Sequence, residues 1–165
     1  MIAKLALAAA LTLAFPALAQ DPAHHAGEDA VAPYAASDAN ADATPFTGTA
    51  MIDAFHGQAG VDRIVDDMLD RSVADPRIAG VFERTDMVRL RRTLKEQFCF
   101  ILNGPCSYTG RSMAQAHAQL GLQPADLGAL VEHLQAAMTT EGVPFHTQNR
   151  FLAKLAPMKP EVVTR

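Results

Sequence analysis

The feature that most constrains this chain is a helical spacing of apolar residues that starts near residue 60. Steps of three and four residues place six apolar side chains on one face of a four-turn helix: Val61, Ile64, Val65, Met68, Leu69 and Val73. Asp75-Pro76 ends this helix, because proline lacks an amide hydrogen and restricts the residue before it. No stretch alternates with a period of two, so the sequence predicts an all-α fold.

Start and stop signals predict four more helices. Asp86 is a suitable N-cap for the second helix, which Asn103-Gly104-Pro105 ends. A short helix spans about 111–120, and a longer one runs from Pro124 to Gly142. The last helix starts at Val143-Pro144 and ends before Pro157. The apolar residues on the inner faces of the two long helices and the last one are Met87, Leu90, Leu94, Phe98, Leu102, Leu127, Leu130, Val131, Leu134, Met138, Phe151, Leu152 and Leu155.

The N-terminus has the pattern of a cleaved secretory signal. Lys4 precedes an apolar run over residues 5–15, and small residues stand at Ala17 and Ala19. This run is shorter than the roughly 20 residues of a membrane span and has a processing site behind it. We therefore expect residues 1–19 to be removed and the mature protein to be periplasmic or secreted.

The remaining chain divides into three parts. Residues 20–48 are rich in Ala, Asp, Gly, Pro and His with few large aliphatic residues, which predicts a disordered linker. We expect one folded domain over residues 49–162 and a short tail over 163–165. The net charge of −4 and the lack of a basic run argue against nucleic-acid binding. The mature chain has no second apolar run that would insert in a membrane.

Several catalytic and cofactor-binding motifs are absent, and this limits the reactions that the sequence predicts. The sequence contains no nucleophile elbow, Walker loop, dinucleotide-binding glycine motif or His-Glu-x-x-His pair. It also lacks Cys-x-x-Cys-His, the motif for covalent haem attachment. Two cysteines flank the turn after the second helix, and the sequence leaves open whether Cys99 and Cys106 form a disulfide or two buried thiols.

One histidine lies on the inner face of the short helix. Met113, Ala116, His117 and Leu120 are spaced at i, i+3, i+4 and i+7. A buried imidazole without a partner costs about 1–3 kcal/mol, so His117 must bond a carbonyl as a structural residue or coordinate a metal. The apolar face of the second helix favours the second interpretation, because it would suit a flat apolar cofactor with a metal centre.

Several segments, which follow one another in the same order along the chain, resemble those of the group I truncated haemoglobins. They are Val65-Asp66-Asp67-Met68-Leu69, Ala74-Asp75-Pro76-Arg77-Ile78, Asn103-Gly104-Pro105-Cys106-Ser107-Tyr108-Thr109-Gly110-Arg111, Met113-x-x-Ala116-His117, and Val131-Glu132-His133-Leu134. The resemblance runs from about Met51 to Val162. It implies a truncated-globin fold, the two-over-two α-helical sandwich, and haem b with its iron as the cofactor.

The resemblance also implies roles for individual residues. His117 matches the proximal ligand of the haem iron, Phe82 packs on the porphyrin, and Phe98 lines the pocket. Tyr108 and Gly110 match structural residues of the extended segment before the proximal helix. Many members carry a tyrosine and a glutamine on the side where gas binds, and here Leu69 and Leu94 occupy those positions. The full set expected around the haem is His117, Phe82, Phe98, Leu90, Leu94, Leu69, Met113 and Tyr108.

Leucines cannot donate a hydrogen bond, and this determines the expected function. Losing a donor worth about 1–3 kcal/mol weakens O₂ binding roughly tenfold to a hundredfold. Thr93 or Gln97 would replace the missing donor if its side chain turned inward. We expect reversible binding of O₂, CO and NO at a five-coordinate iron. The alternative is an enzyme that removes NO or peroxide, which would need a reductase not identified here, and the residues favour gas binding over this alternative.

Overall fold

The computed structural model describes residues 25–165, so the predicted signal peptide lies outside the described residues. Every regular element in this range is helical, which confirms the all-α prediction. The helices are α1 (Ala50–Ala54), α2 (Gly57–Ala74), α3 (Ala79–Phe82), α4 (Met87–Ile101), α5 (Met113–His117), α6 (Pro124–Thr140), α7 (Phe145–Leu155) and α8 (Lys159–Val162). Within the same range, none of them combines the length and apolar character needed to cross a membrane.

Helix α2 forms the centre of the core. Its buried face carries the predicted apolar residues from Val61 to Leu69, but Val73 is 45% exposed. Ser72 takes the buried position of the last turn, and its hydroxyl donates to the Met68 carbonyl at 2.7 Å. The helix ends at Asp75, as predicted from the following proline.

Local capping explains where the other helices begin. Asp86 accepts a hydrogen bond from the Arg89 amide at 3.0 Å and so caps α4. Ser112 and Gln115 form a reciprocal capping box on α5, which spans only five residues and is shorter than the predicted 111–120. Pro124 occupies the first turn of α6, where its missing amide hydrogen costs no helical bond.

The long helices pack in two layers, the two-over-two arrangement that the resemblance implied. Helix α2 packs against both α4 and α6, and α6 contacts α7. Between the layers, the ring of Phe151 meets Phe55 and Phe98 edge to face at 5.1 and 5.0 Å. Helix α5 lies against α8. The sequence analysis did not predict α8, because Pro157 and Pro160 indicate the end of a helix. Buried Val162 anchors α8.

The N-terminal segment is the main departure from the prediction. Residues 25–48 are not a disordered linker in this structure, since they contain a 3₁₀ turn at Asp38–Ala41 and bury Ala41 completely. Asp38 accepts from the Tyr108 amide, and Asp42 from the Met113 amide, each at 2.6 Å. The segment is ordered by carboxylates that satisfy backbone amides, which a count of large aliphatic residues does not detect.

A buried ion pair fixes the start of this segment. The Glu28 side chain is 1% exposed and lies 3.0 Å from Arg89 and 2.5 Å from Arg92 on α4. Hydrogen bonds from Arg92 and Arg89 lower the pKa of the Glu28 carboxyl to about 2, although burial acts in the opposite direction. Arg92 also contacts Glu96 at 2.8 Å, and the network is therefore charge-balanced.

The two cysteines form a disulfide, which answers the question that the sequence left open. Cys99 and Cys106 are bonded, with Cα atoms 5.9 Å apart and a sequence separation of seven. The bond joins the last turn of α4 to the irregular segment that leads to α5. It therefore limits how far this segment can move from the core.

We predict that breaking the disulfide destabilises the fold. Closing a loop of this length removes unfolded-chain entropy worth about 2 kcal/mol. Reduction should lower the free energy of unfolding of the native sequence by about that amount, measured by denaturant titration. The C99A/C106A variant is the control, because the same reductant should leave its stability unchanged. Equal responses of the two proteins would contradict the prediction.

We predict that Glu28→Gln destabilises the protein at neutral pH by roughly 3 kcal/mol, because two partly buried arginines lose a buried, charged partner. The Glu28 pKa is lower in the folded state, so its contribution is present above the unfolded value near 4.5 and is lost as pH falls. The stability difference between wild type and E28Q should therefore shrink between about pH 5 and pH 2.

The matched control is Glu132→Gln, because the Glu132 side chain is 61% exposed in its pair with Arg77. Its effect on the unfolding free energy should stay below about 1 kcal/mol at every pH. Thermal or denaturant unfolding across this pH range measures both variants. A pH-independent effect of E28Q would show that the Glu28 ion pair is not the cause.

Candidate functional site

The His117 imidazole is oriented by its own helix. Its Nδ1 lies 2.8 Å from the carbonyl oxygen of Met113, one turn earlier on α5. A carbonyl oxygen only accepts, so Nδ1 carries the hydrogen and donates it. In the neutral ring, Nε2 then keeps its lone pair, which is the arrangement of a metal-ligating histidine with a second hydrogen bond to the backbone.

A bare metal ion would find few other ligands. The described residues contain no group of three or more His, Cys, Asp or Glu side chains that could hold an ion. A metal bound by His117 must therefore bring most of its ligands with it, as a metal in a macrocycle does.

The segment before α5 holds this helix in place. Tyr108 is buried, and its hydroxyl donates to the Arg111 carbonyl at 2.8 Å, while burial raises the pKa of the phenol. Gly110 is required beside it, since a Cβ there would lie 2.2 Å from the Tyr108 hydroxyl oxygen. Both residues act as structural parts of the segment, as the resemblance implied.

His117 faces a cavity of about 520 Å³, a size typical of cofactor sites. Helices α2, α3, α4, α5 and α6 all contribute walls, and most of the lining is apolar. The structure brings together seven of the eight residues that the sequence analysis expected around a cofactor: Leu69, Phe82, Leu90, Leu94, Tyr108, Met113 and His117.

Phe98 is the exception, and its expected place beside a cofactor stays a prediction. It is 4% exposed and packs on Phe151 in the core rather than lining the cavity. Leu90, Leu94 and Gln97 mark the cavity face of α4, and successive residues turn by about 100°. Phe98 therefore lies about one residue step round the helix, towards α7.

The hydroxyl groups that line the cavity are already used as donors. Tyr34 donates to the Thr109 carbonyl at 2.8 Å, and Thr85 to Val81 at 3.2 Å. Thr93 donates to the Arg89 carbonyl at 2.9 Å, and Tyr108 to Arg111 as described. None of the four hydroxyls in this part of the structure is left to donate to a ligand in the cavity.

Gln97 also lines the cavity. The sequence analysis left open whether its side chain turns inward. Its amide nitrogen donates to the Ala41 carbonyl at 3.1 Å and lies 3.6 Å from the Met113 sulfur. Gln97 is 4% exposed and is held in place by residues outside α4. Its amide group therefore ties α4 to the N-terminal segment.

Charged side chains also line the cavity. Arg84, Arg89 and Arg111 stand in its wall together with Asp29, Asp86 and Asp126. Among the described residues, the Arg89 Nη1 atom is buried and has no hydrogen-bond partner. A buried guanidinium nitrogen without an acceptor is costly, and Arg89 is the arginine of the cavity wall that has one.

Among the residues of the cavity wall that sequence reasoning missed, three come from the N-terminal segment. Asp29, Val31 and Tyr34 of this segment line the cavity together with His117. No signal in the composition marked them, since they come from a stretch that reads as solvated. A search for charged residues complementary to Arg89 and Arg92 of α4 would have indicated Glu28 and the segment that follows it.

A second histidine makes a contact that resembles a catalytic triad. His133 bridges the Ser72 hydroxyl at 3.0 Å and the Asp75 carboxylate at 3.0 Å. Ser72 is fully buried and already donates to Met68, so it cannot act as a nucleophile. The three residues join the end of α2 to α6, and this indicates a structural role for His133.

Comparison with known proteins gives consistent matches. Residues 50–164 match a family described as bacterial-like globin. The chain is 35% identical over 112 residues to group 1 truncated hemoglobin GlbN of Mycolicibacterium paratuberculosis, covering 68% of this chain and 82% of that protein. It is 32% identical over 115 residues to group 1 truncated hemoglobin GlbN of Nostoc commune, covering 70% and 98%.

Solved structures show the same fold. Truncated hemoglobin from Tetrahymena pyriformis in its Fe(III) form superposes with a TM-score of 0.66 at 23% identity, covering 70% of this chain and 98% of that one. The 2/2 hemoglobin from a Synechococcus species, in the cyanomet state with covalently attached heme, gives a TM-score of 0.63 at the same identity and coverage.

Proposed function

The chain belongs to the bacterial-like globins and is a group I truncated haemoglobin, hence a haem-binding protein; from this premise we propose that it holds haem b through His117 and binds O₂, CO and NO reversibly. The observation that carries the proposal is the His117 geometry. Its Nδ1 donates to the Met113 carbonyl, so Nε2 points its lone pair away from α5 as the ligand for iron.

The residues of the cavity fit haem. Apolar walls from six helices match a flat porphyrin, and the Arg89 guanidinium in the wall matches a propionate carboxylate. When bound, haem supplies an iron centre that ligates diatomic gases. The protein holds the ring, presents one imidazole and keeps water from the apolar side.

The proposal includes a five-coordinate iron. His117 is the single histidine that lines the cavity among the described residues. Met113 lies on the same helix one turn away, and its sulfur faces the Gln97 amide, so it is not placed as a second axial ligand. Met68 is buried in the core and does not line the cavity.

The polarity of the cavity supports gas binding over catalysis. Leu69, Leu90 and Leu94 carry no donor, and the hydroxyls nearby are bonded to backbone carbonyls. Peroxide cleavage needs a positioned acid or base, which these residues do not provide. Removal of NO needs a long-lived O₂ complex, and the lack of donors shortens the lifetime of that complex.

We also propose that the protein is exported to the periplasm or secreted. The apolar run over residues 5–15 with small residues at Ala17 and Ala19 supports this. The Cys99–Cys106 disulfide supports it too, because such bonds persist in oxidising compartments.

We predict that His117→Gly abolishes stable haem binding, because the iron loses its one protein ligand. Added imidazole should restore the spectrum, since a free imidazole can occupy the space that the side chain leaves. The measurement is the Soret band after reconstitution with hemin and removal of unbound hemin. His146→Gly is the control and should bind haem normally, since His146 is exposed and outside the cavity. Full haem binding by H117G without imidazole would refute the proposal.

We predict that Leu94→Gln slows O₂ dissociation about tenfold to a hundredfold, because it adds a donor worth about 1–3 kcal/mol. CO dissociation should change much less, since bound CO is less polar. Stopped-flow measurement of both rates tests this. Leu94→Met is the control, as it has similar size and no donor. Equal O₂ rates in L94Q and L94M would show that polarity at this position does not limit O₂ binding.

A further inference from the structure

Residues 28–34 of the N-terminal segment cross one end of the cavity, and we refer to them as the strap. Three of them, Asp29, Val31 and Tyr34, line the cavity that contains His117. The strap lies outside residues 50–164, the part that matches the globin family. Its contribution to the cavity is therefore a property of this chain that family membership does not supply.

One end of the strap is fixed to α4. The buried Glu28 carboxylate contacts Arg89 and Arg92 at 3.0 and 2.5 Å. The next residue extends this attachment, because the Asp29 amide donates to the Asp86 carboxylate at 2.8 Å and its carbonyl accepts from Arg89. Asp86 is also the N-cap of α4, so the strap and the start of this helix share one hydrogen-bond network.

The other end is fixed to the segment that precedes α5. The Tyr34 hydroxyl donates to the Thr109 carbonyl at 2.8 Å. The Arg111 guanidinium lies 5.1 Å from the centre of the Tyr34 ring and donates to the Ala32 carbonyl at 3.0 Å. The strap thus connects the helix carrying Leu90 and Leu94 with the segment that positions His117.

Arg89 links the strap to the ligand that the cavity would hold. Glu28 and the Asp29 carbonyl take up Nε and Nη2 of its guanidinium. Nη1 is buried and has no partner among the described residues, and Arg89 lines the cavity. Glu28 and the Asp29 carbonyl therefore hold Arg89 in place at the cavity wall.

We propose that the strap is part of the haem-binding site, with Val31 and Tyr34 contacting the cofactor and Glu28 acting as a positioning residue for Arg89. This inference rests on the proposed function. The strap covers the edge of the haem and slows its release. A haem protein without such a cover would depend on its helices alone to retain the cofactor.

The first test measures retention of haem. Hemin transfer from the ferric holoprotein to excess apomyoglobin gives a dissociation rate from the change in absorbance. Glu28→Gln should raise this rate about tenfold or more, which corresponds to about 1.4 kcal/mol of lost interaction. Glu132→Gln is the control with the same chemical change at an exposed site, and its rate should match wild type. Equal rates for E28Q and wild type would overturn the proposal.

The second test does not depend on the stability of a variant. In the wild-type ferrous CO form, nuclear Overhauser contacts between the Val31 methyls and the porphyrin protons are expected. Val143, which is buried near the α6–α7 turn and outside the cavity, is the internal control and should show none. The Val31→Ala variant assigns the signal. Absence of the Val31 contacts would overturn the proposal.

Different results would refute haem binding and the role of the strap. A wild-type protein with no Soret band after reconstitution would refute haem binding itself. A protein with a normal band, an E28Q rate equal to wild type and no Val31 contacts would refute only the role of the strap. In that case haem binding by His117 would stand.

Discussion

One hydrogen bond, from His117 Nδ1 to the Met113 carbonyl, is the interaction on which the site depends. It fixes the tautomer of the imidazole and leaves Nε2 as a ligand. A five-residue helix cannot hold this geometry by itself, because short helices are unstable in isolation. The surrounding structure stabilises it through the capping box of Ser112, the Asp42 carboxylate and the contact with α8. The disulfide at the end of α4 restrains the segment that leads into it.

Most side chains that line the cavity opposite His117 are apolar, and the hydroxyl groups among them donate to the backbone rather than into the cavity. Threonine and tyrosine hydroxyls line it, yet each donates to a backbone carbonyl, as Thr93 does to Arg89. These bonds to backbone carbonyls satisfy the hydroxyl donors, so the hydroxyls do not need a hydrogen bond to water or to a gas. The charged groups of the cavity, such as Arg89, are side chains separate from the leucines of its wall.

Ion pairing explains why a segment with few large apolar residues is ordered. Glu28 brings a carboxylate to two arginines that would otherwise be partly buried on α4 without a full set of acceptors. Burying such charges is favourable only when their hydrogen bonds are satisfied, and here both arginines and Glu28 make several. The segment is thus stabilised by specific contacts with one face of α4, and the same contacts bring Val31 and Tyr34 to the cavity.

The sequence by itself determined the longer helices, the Asp86 cap and the place of His117 on the inner face of α5, since these follow from periodicity and local hydrogen bonding. The Asp86 cap and the end of α2 at Asp75 are where the sequence predicts them. Only the tertiary structure decided which side chains meet across elements. It packed Phe98 of α4 against Phe151 of α7, because a helical stripe is wider than the part that one neighbour covers. It also placed the strap over the cavity, because a carboxylate and its arginines are some 60 residues apart in sequence and local patterns do not report such pairs.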